Sequence, residues 1–143
     1  MRVPGQVIEI AKTLQQAGFE TWCVGGAVRD ALLGVAHLDW DLATAATPPQ
    51  VLDRDNRMHE VTTFRRDVKT DGRHAIVEFG ASLDEDLARR DFTINAIAYD
   101  PINHRLHDPF GGQVDLARRV VRAVGEAEAR LREDRLRALR AIR

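Results

Sequence analysis

Apolar residues recur at helical spacing near the start of the chain and predict its first element. The helix is expected over residues 5–17, because Gly18 supplies a C-terminal stop after the last apolar position. The segment Thr21–Val24 is β-branched, aromatic or apolar and predicts a strand. This strand breaks at Gly25-Gly26, and Ala27–Leu33 then resumes a helical pattern. The expected order is helix, strand, glycine turn and helix.

The following segment alternates between apolar and acidic positions, as a half-buried strand does. Over residues 37–43, one face carries Leu38, Trp40 and Leu42, and the other carries Asp39 and Asp41. We therefore expect one face of this strand to lie in the core and the other to carry two carboxylates.

The rest of the chain alternates between short strand patterns and helix patterns. Further strands are predicted at residues 57–64, 75–79, 97–99 and 120–124, and helices at residues 83–90, 114–119 and from 127 onward. With 143 residues, the chain is long enough for one compact domain around a sheet. Because the last helical pattern reaches Arg143 without a capping signal, we expect the sequence to be cut inside a helix and to belong to a longer protein.

Composition narrows the class of protein. A hydrophobic fraction of 44%, without an apolar run of about 20 residues, predicts a soluble protein that does not enter a membrane. The single cysteine, Cys23, excludes an intrachain disulfide, and the N-terminus lacks a secretory pattern. Both features predict a cytoplasmic protein.

The net charge of −1 argues against a domain that binds nucleic acid over its whole surface. The charges are unevenly distributed, however: residues 1–88 contain 9 basic and 14 acidic side chains, whereas residues 89–143 contain 12 and 8. An acidic part that can hold divalent cations and a basic part that can hold phosphates suit a nucleotide enzyme. Taken alone, a chance distribution explains the charges equally well.

Asp39 and Asp41 are the first candidates for chemistry. On a strand their carboxylates project from one face and can share Mg²⁺ ions, which prefer oxygen ligands. Two such ions can activate an attacking hydroxyl and neutralise a leaving pyrophosphate. For an isolated pair of exposed acids, the absence of any function is the commoner explanation.

Gly25-Gly26 forms a second candidate site at the turn between strand and helix. Its bare backbone N–H groups can receive phosphate oxygens. Arg29, one turn into the helix, can add a charge-assisted contact while Asp30 orients it. A tight turn with a surface ion pair is the alternative.

Arg89–Asn95 is the third candidate, a run of basic, acidic and amide side chains. Arg90 can contact a phosphate, and Asp91 or Asn95 can accept a hydrogen bond from a ribose hydroxyl. The alternative is a plain helix terminus in which Asp91 caps a following helix.

Together these motifs resemble the class II tRNA nucleotidyltransferase and bacterial poly(A) polymerase family. Their order and spacing match it over Val24–Asp30, Leu38–Thr44 and Arg89–Ala96, and the likeness continues through Asp108–Gly112 to Glu133–Arg137. The resemblance implies a polymerase-beta-like nucleotidyltransferase head of α/β (α+β) class, a short mixed sheet flanked by helices, over residues 1–122. It also implies the start of an all-helical neck over residues 123–143.

The resemblance further implies a role for each matching residue. Asp39 and Asp41 are expected to bind two Mg²⁺ ions, and Glu60 matches the position of a further catalytic acidic residue. Binding of the triphosphate is expected from Gly25, Gly26 and Arg29, and recognition of the nucleotide and its ribose from Arg90, Asp91 and Asn95.

In the neck, Asp134 and Arg137 are three residues apart and therefore share one face of a helix. The resemblance implies that this pair selects the base-pairing edges of C and A, whereas an intrahelical salt bridge is the alternative. The implied activity is addition of CMP and AMP, from CTP and ATP, to the 3′ end of tRNA. A C-terminal body beyond this sequence is expected to provide the main contact with tRNA.

Other functions stay open within and outside the family. An A-adding, a CC-adding or a poly(A)-adding enzyme is an alternative, as is a non-catalytic module that binds nucleotide or RNA. Residues 67–74 resemble the flexible loop of CCA-adding enzymes, which favours CCA addition.

One segment departs from the family. Between Pro49 and Glu60 the family normally has a longer stretch, with a helix and a strand marked by Gly-Thr-Val. About two dozen residues are therefore expected to be absent after Gln50, and we favour an unobserved or misjoined segment over a deletion that removes a strand from the fold.

Overall fold

The computed structural model describes residues 1–36, 39–47, 60–69 and 75–125. In chain order, its helices and strands are α1 Gly5–Gln16, β1 Thr21–Val24, α2 Gly26–Leu32, β2 Asp41–Thr44, β3 Glu60–Thr63, β4 Arg65–Lys69, β5 Ala75–Phe79, α3 Leu83–Ala88, a 3-10 turn Thr93–Asn95, β6 Ala98–Asp100, β7 Arg105–His107 and α4 Gly112–Ala117. None of the helices in these ranges is long and apolar enough to cross a membrane.

Five of the strands form one mixed sheet, in the order β3-β2-β1-β6-β7. Strand β1 runs antiparallel to both of its neighbours, whereas β2 and β3 are parallel. Strands β4 and β5 form a separate antiparallel hairpin. A short mixed sheet flanked by helices confirms the predicted fold class.

Apolar side chains cover both faces of the sheet. On one face, Leu42 packs in a cluster with Val7 of α1 and Val28 of α2. On the other face, Ala43 packs in a cluster with Leu87 of α3. Each fully buried Val or Leu side chain contributes roughly 1.5–3 kcal/mol to folding. The prediction that only one face of this strand lies in the core is therefore wrong, because α3 covers the face that Asp41 shares with Ala43.

The helices follow the predicted pattern closely, and the strands less so. Strand β2 begins at Asp41, so Asp39 precedes the strand and does not lie within it. Residues 37–38 and 57–59 of the predicted strands lie outside the described residues. The strand predicted at residues 57–64 is observed as β3 alone, and β4 follows it after Phe64. Strand β7 was not predicted, because its three residues are too few to display a period.

The strand predicted at residues 120–124 is reduced to a single bridge between Phe92 and Ala123. Two backbone hydrogen bonds, from Thr93 N–H to Arg122 and from Val124 N–H to Asp91, hold the two segments together. The pairing stops there because the chain turns into the 3-10 turn immediately after Phe92. This pairing anchors the segment that carries Asp91 and Asn95.

Candidate active site

Asp41 and Glu60 lie opposite each other on the parallel strands β2 and β3. Neighbouring strands are about 4.8 Å apart, and residues at the same register project from the same face, so the two side chains leave the sheet next to each other. Asp41 is half-buried and Glu60 is exposed. Asp39 is exposed and precedes β2 by two residues. The structure thus places Glu60 beside Asp41, whereas Asp39, the other member of the predicted metal-binding pair, lies outside β2. The roles of all three as metal ligands or catalytic groups stay predictions.

This donor set is compatible with a magnesium ion that also binds a nucleotide. In the part of the chain that the structure describes, no group of three or more His, Cys, Asp or Glu side chains could hold a metal ion by itself. Mg²⁺ is usually bound through one or two carboxylates, with waters and substrate phosphates completing its shell. Asp41 and Glu60 therefore suit an ion whose shell is completed by waters and substrate phosphates.

The glycine turn brings the end of β1 next to these carboxylates. Val24 pairs with Asp41, and Gly25 follows with a φ of 80°, a conformation that favours glycine. A Cβ atom on Gly25 would lie 3.5 Å from Asp41 Oδ2 and 3.7 Å from Arg90 Nη1. Gly25 therefore separates a carboxylate from a guanidinium without a side chain between them, as a phosphate site requires.

Arg90 is held by Asp86, a carboxylate that is fully buried on α3. Arg90 Nη2 donates to Asp86 Oδ1 at 3.1 Å, and the backbone N–H of Arg65 donates to Asp86 Oδ2 at 3.1 Å. Arg89 Nε lies 3.7 Å from the same carboxylate. Sequence reasoning missed Asp86, although its spacing of four residues from Arg90 is the signal for a pair on one helical face.

Helix α3 begins with a capping box that fixes the position of this carboxylate. The Ser82 hydroxyl accepts from the Glu85 N–H at 3.2 Å, and the Glu85 carboxylate accepts from the Ser82 N–H at 3.1 Å. Such a box satisfies two backbone donors at the first turn of a helix. It gives a helix of only six residues a defined start, about one helical turn before Asp86.

Arg29, Asn95 and Asp91 form one hydrogen-bonded chain. Arg29 Nη1 donates to Asn95 Oδ1 at 2.8 Å, and Asn95 Nδ2 donates to Asp91 Oδ1 at 3.1 Å. Arg29 Nε also donates to Asp30 Oδ1 at 2.9 Å, so the ion pair considered from the sequence is present as well. Asp91 is not a helix cap: its Oδ1 accepts from the adjacent Phe92 N–H, and Phe92 occupies the capping position of the 3-10 turn.

Helix α4 packs against the 3-10 turn and hydrogen-bonds it. Thr93 Oγ1 donates to Asp115 Oδ2 at 2.6 Å, and Arg122 Nε approaches the same oxygen at 3.3 Å. The hydrogen bond from Thr93 is the main reason that the pKa of Asp115 is lowered, with Arg122 adding to it against the opposite effect of burial. Gly112 is packed directly against the carbonyl oxygen of Thr93. Sequence reasoning missed both Asp115 and Gly112 as supports of the site.

The structure therefore brings together most of the predicted site residues around one end of β1. The group consists of Gly25, Gly26, Arg29, Asp41, Glu60, Arg90, Asp91 and Asn95, with Asp39 just before β2. Asp134 and Arg137 lie outside the described residues, as do residues 126–143 of the predicted neck.

A sequence profile described as the poly A polymerase head domain matches residues 21–54 and 51–122. The chain belongs to the poly A polymerase head domain family.

Relatives of this head domain are similar over almost all of its length. The CCA-adding enzyme of Geobacillus thermodenitrificans is 44% identical over 158 residues, which cover 96% of this chain and 39% of the relative. The CCA-adding enzyme of Geobacillus stearothermophilus is 44% identical over 168 residues, which cover 100% of this chain and 40% of the relative. This chain thus spans about two fifths of the length of these relatives.

Solved structures show the same similarity. The Bacillus stearothermophilus CCA-adding enzyme in complex with CTP matches with a TM-score of 0.85 and 42% identity, covering 99% of this chain and 39% of that chain. A tRNA nucleotidyltransferase complexed with a primer tRNA and an incoming ATP analog matches with a TM-score of 0.75 and 29% identity, covering 93% of this chain and 43% of that chain.

The comparison also bears on the segment after Gln50. The alignment with the G. stearothermophilus enzyme runs over 168 positions, whereas this chain has 143 residues. The family profile matches in two segments, which overlap at residues 51–54. The relative therefore has residues that have no counterpart in this chain, and strand β3 nevertheless pairs directly with β2.

Proposed function

We propose that this poly A polymerase head domain is the catalytic part of an enzyme that adds CMP and AMP, from CTP and ATP, to the 3′ end of tRNA. The observation that carries the proposal is the position of Gly25 between Asp41 and Arg90, with Glu60 beside Asp41, in a chain that is 44% identical to CCA-adding enzymes. A carboxylate pair, a bare backbone turn and a guanidinium are the groups that a nucleotide triphosphate with its metal ions needs.

In this proposal Asp39 and Asp41 hold two Mg²⁺ ions, and Glu60 is the further acidic residue at the same face. When bound, the ions supply the charge that activates the 3′ hydroxyl of the primer and neutralises the leaving pyrophosphate. The chain itself contributes position. The parallel register of β2 and β3 holds the backbones of Asp41 and Glu60 side by side, so both side chains leave the sheet next to each other before a nucleotide enters.

The nucleotide is bound in parts. The triphosphate lies along Gly25 and Gly26 with Arg29 and Arg90 as cations, and the ribose is recognised by Asp91 and Asn95. Selection of C and A by Asp134 and Arg137, in a neck over residues 123–143, belongs to the same proposal. The parts of the protein that bind the body of tRNA, and a cytoplasmic location, are proposed from the family resemblance alone.

The nucleotide requirement tests this function. The chain, in large excess over a tRNA that lacks its terminal CCA, is incubated with CTP, with ATP or with both in the presence of Mg²⁺. We expect two C residues with CTP alone and a completed CCA end with both nucleotides. Long A tracts formed from ATP alone would contradict CCA addition and favour a poly(A) polymerase. Because a C-terminal body is expected to provide the main contact with tRNA, the full-length protein is tested in the same way, and no incorporation by it from any nucleotide would favour a non-catalytic binding module.

A further inference from the structure

Arg29 connects the glycine turn with the 3-10 turn through one side chain. Its Nη1 donates to Asn95 Oδ1 at 2.8 Å, across 66 positions of sequence. Its Nη2 would lie 3.3 Å from a Cβ atom on Gly26, so this nitrogen lies over the glycine turn. The two terminal nitrogens of one guanidinium therefore face the two parts of the proposed nucleotide site.

The chemistry of these groups fixes the orientation of the Asn95 amide. A guanidinium can only donate hydrogen bonds, so the amide oxygen of Asn95 must face Arg29. A carboxylate accepts, so the amide nitrogen must face Asp91, as it does at 3.1 Å. Reversing the amide would place two donors together at Arg29 and two acceptors together at Asp91. Arg29 therefore determines which way Asn95 presents its polar atoms.

Arg29 is itself held in position by the neighbouring carboxylate of Asp30. Its Nε donates to Asp30 Oδ1 at 2.9 Å, and the two side chains are only 30% and 19% exposed. A guanidinium that is half-buried and held by two acceptors loses little freedom when a ligand binds. The series of hydrogen bonds from Asp30 through Arg29 and Asn95 to Asp91 is thus in place before a nucleotide enters.

We propose that Arg29 is a positioning residue that sets the selectivity for ribose over deoxyribose, by holding Asn95 and Asp91 in the orientation that receives the 2′ hydroxyl. The inference rests on the proposed function, in which Asp91 and Asn95 recognise the ribose. It adds a second role to Arg29, beyond the positive charge it supplies to the phosphates. The phosphate role acts on ribonucleotides and deoxyribonucleotides alike, whereas the positioning role acts only where a 2′ hydroxyl is present.

The ratio of the affinities for CTP and dCTP separates these two roles. Binding of each nucleotide to the chain is measured by calorimetry with Mg²⁺, for the wild type, Arg29→Lys and Arg29→Met. We expect the CTP preference to fall about tenfold in both variants, which is the free energy of about one hydrogen bond. Arg29→Lys keeps the positive charge and should retain more of the affinity for dCTP than Arg29→Met does. Arg105→Met, on the exposed strand β7, is the control that removes a charge without changing the ratio.

A double-mutant cycle tests whether Arg29 acts through Asn95. In an Asn95→Leu background, Arg29→Met should weaken CTP and dCTP equally and leave their ratio unchanged. Unchanged ratios in the Arg29 single variants, with thermal unfolding showing them folded, would overturn the inference and leave the proposed function intact. A wild-type chain that binds CTP and dCTP equally would instead contradict the ribose assignment of the proposed function, and the inference with it.

Discussion

Replacing Gly112 by alanine tests the support of the 3-10 turn. Gly112 is the first residue of α4, and it is packed against the segment that leads to Asn95. An added Cβ would lie 2.2 Å from the carbonyl oxygen of Thr93 and 2.8 Å from Ile97 Cγ1. Neither distance is tolerable, and the oxygen belongs to backbone that cannot move aside as a flexible side chain can. Helix α4 must therefore shift away from the turn in this variant.

The size of the effect follows from two opposing contributions. An extra methyl group in a packed interior costs about 1–3 kcal/mol, and contact with backbone favours the upper end of that range. Alanine in place of glycine returns up to about 1 kcal/mol through helix propensity and a less flexible unfolded chain. We expect a net loss of about 2 kcal/mol in the free energy of unfolding. For a chain of this length, that corresponds to a decrease in Tm of about 4–8 °C.

Gly5→Ala is the matched control, because it makes the same substitution at the first residue of α1, with nothing within 4 Å of the added Cβ. Thermal and urea unfolding, followed by circular dichroism, measure both variants. The control should be as stable as the wild type or slightly more stable. A Gly112→Ala chain as stable as the wild type, or a Gly5→Ala chain destabilised to the same extent, would show that contact of the added Cβ with Thr93 does not destabilise the fold.

Three further predictions concern buried polar groups. Asp86→Asn should cost about 3 kcal/mol in unfolding measurements, because it leaves Arg90 without its buried counter-charge; a loss no larger than that of the exposed Asp84→Asn would contradict this. Burial alone would raise the pKa of Asp100, but hydrogen bonds from Asn103 and Gln15 and from backbone N–H groups lower it below 3.8. The ionised Asp100 therefore stabilises the folded chain above pH 3.8, and this stabilisation is lost as the pH falls through the lower pKa of the folded state. Asp100→Asn should remove this part of the pH dependence when the free energy of unfolding is measured between neutral and acid pH. Burial, with the charge of Asp100, raises the pKa of Cys23 to about 12, so thiol reagents at pH 8 should react only upon unfolding; rapid labelling of the folded chain would contradict this.

The elements that were predicted well are those with a strong local signal. Helix α1 repeats its apolar positions over three turns and ends near Gly18, and the turn after β1 is marked by two adjacent glycines. Gly25 has a positive φ, so its identity is dictated by local backbone geometry that can be anticipated from sequence. Local signals of this kind do not depend on the rest of the fold.

The strands that were mispredicted depend on partners distant in sequence. Alternation placed Asp39 and Asp41 together on one strand, but pairing with β1 begins only at Asp41, opposite Val24. Strand β7 is defined by its pairing with β6, and its three residues carry no pattern of their own. The segment around Ala123 has the composition of a strand but finds only Phe92 to pair with.

The site was predicted as motifs, and the contacts that connect the motifs were not. The resemblance grouped Gly25, Arg29 and Asn95 as neighbours of a nucleotide, but nothing in the sequence indicates that Arg29 hydrogen-bonds Asn95. Asp86 was missed for a similar reason, because burial of a carboxylate becomes visible only once α3 packs on the sheet. Residues 126–143, with Asp134 and Arg137, lie outside the described residues, so their roles stay predictions.

The proposal that Asp41 binds a catalytic metal ion is tested most directly by measuring how CMP transfer depends on Mg²⁺. Incorporation of labelled CMP into tRNA lacking its CCA end is measured under single-turnover conditions, across a Mg²⁺ titration, for the wild type, Asp41→Asn and the exposed control Asp84→Asn. The metal contributes several kcal/mol to such a reaction, so we expect Asp41→Asn to lower the rate roughly 1,000-fold at any Mg²⁺ concentration and Asp84→Asn to leave it unchanged. Transfer by Asp41→Asn at the wild-type rate, or transfer by the wild type that is unaffected by removing Mg²⁺, would contradict the proposed role of Asp41 as a metal ligand.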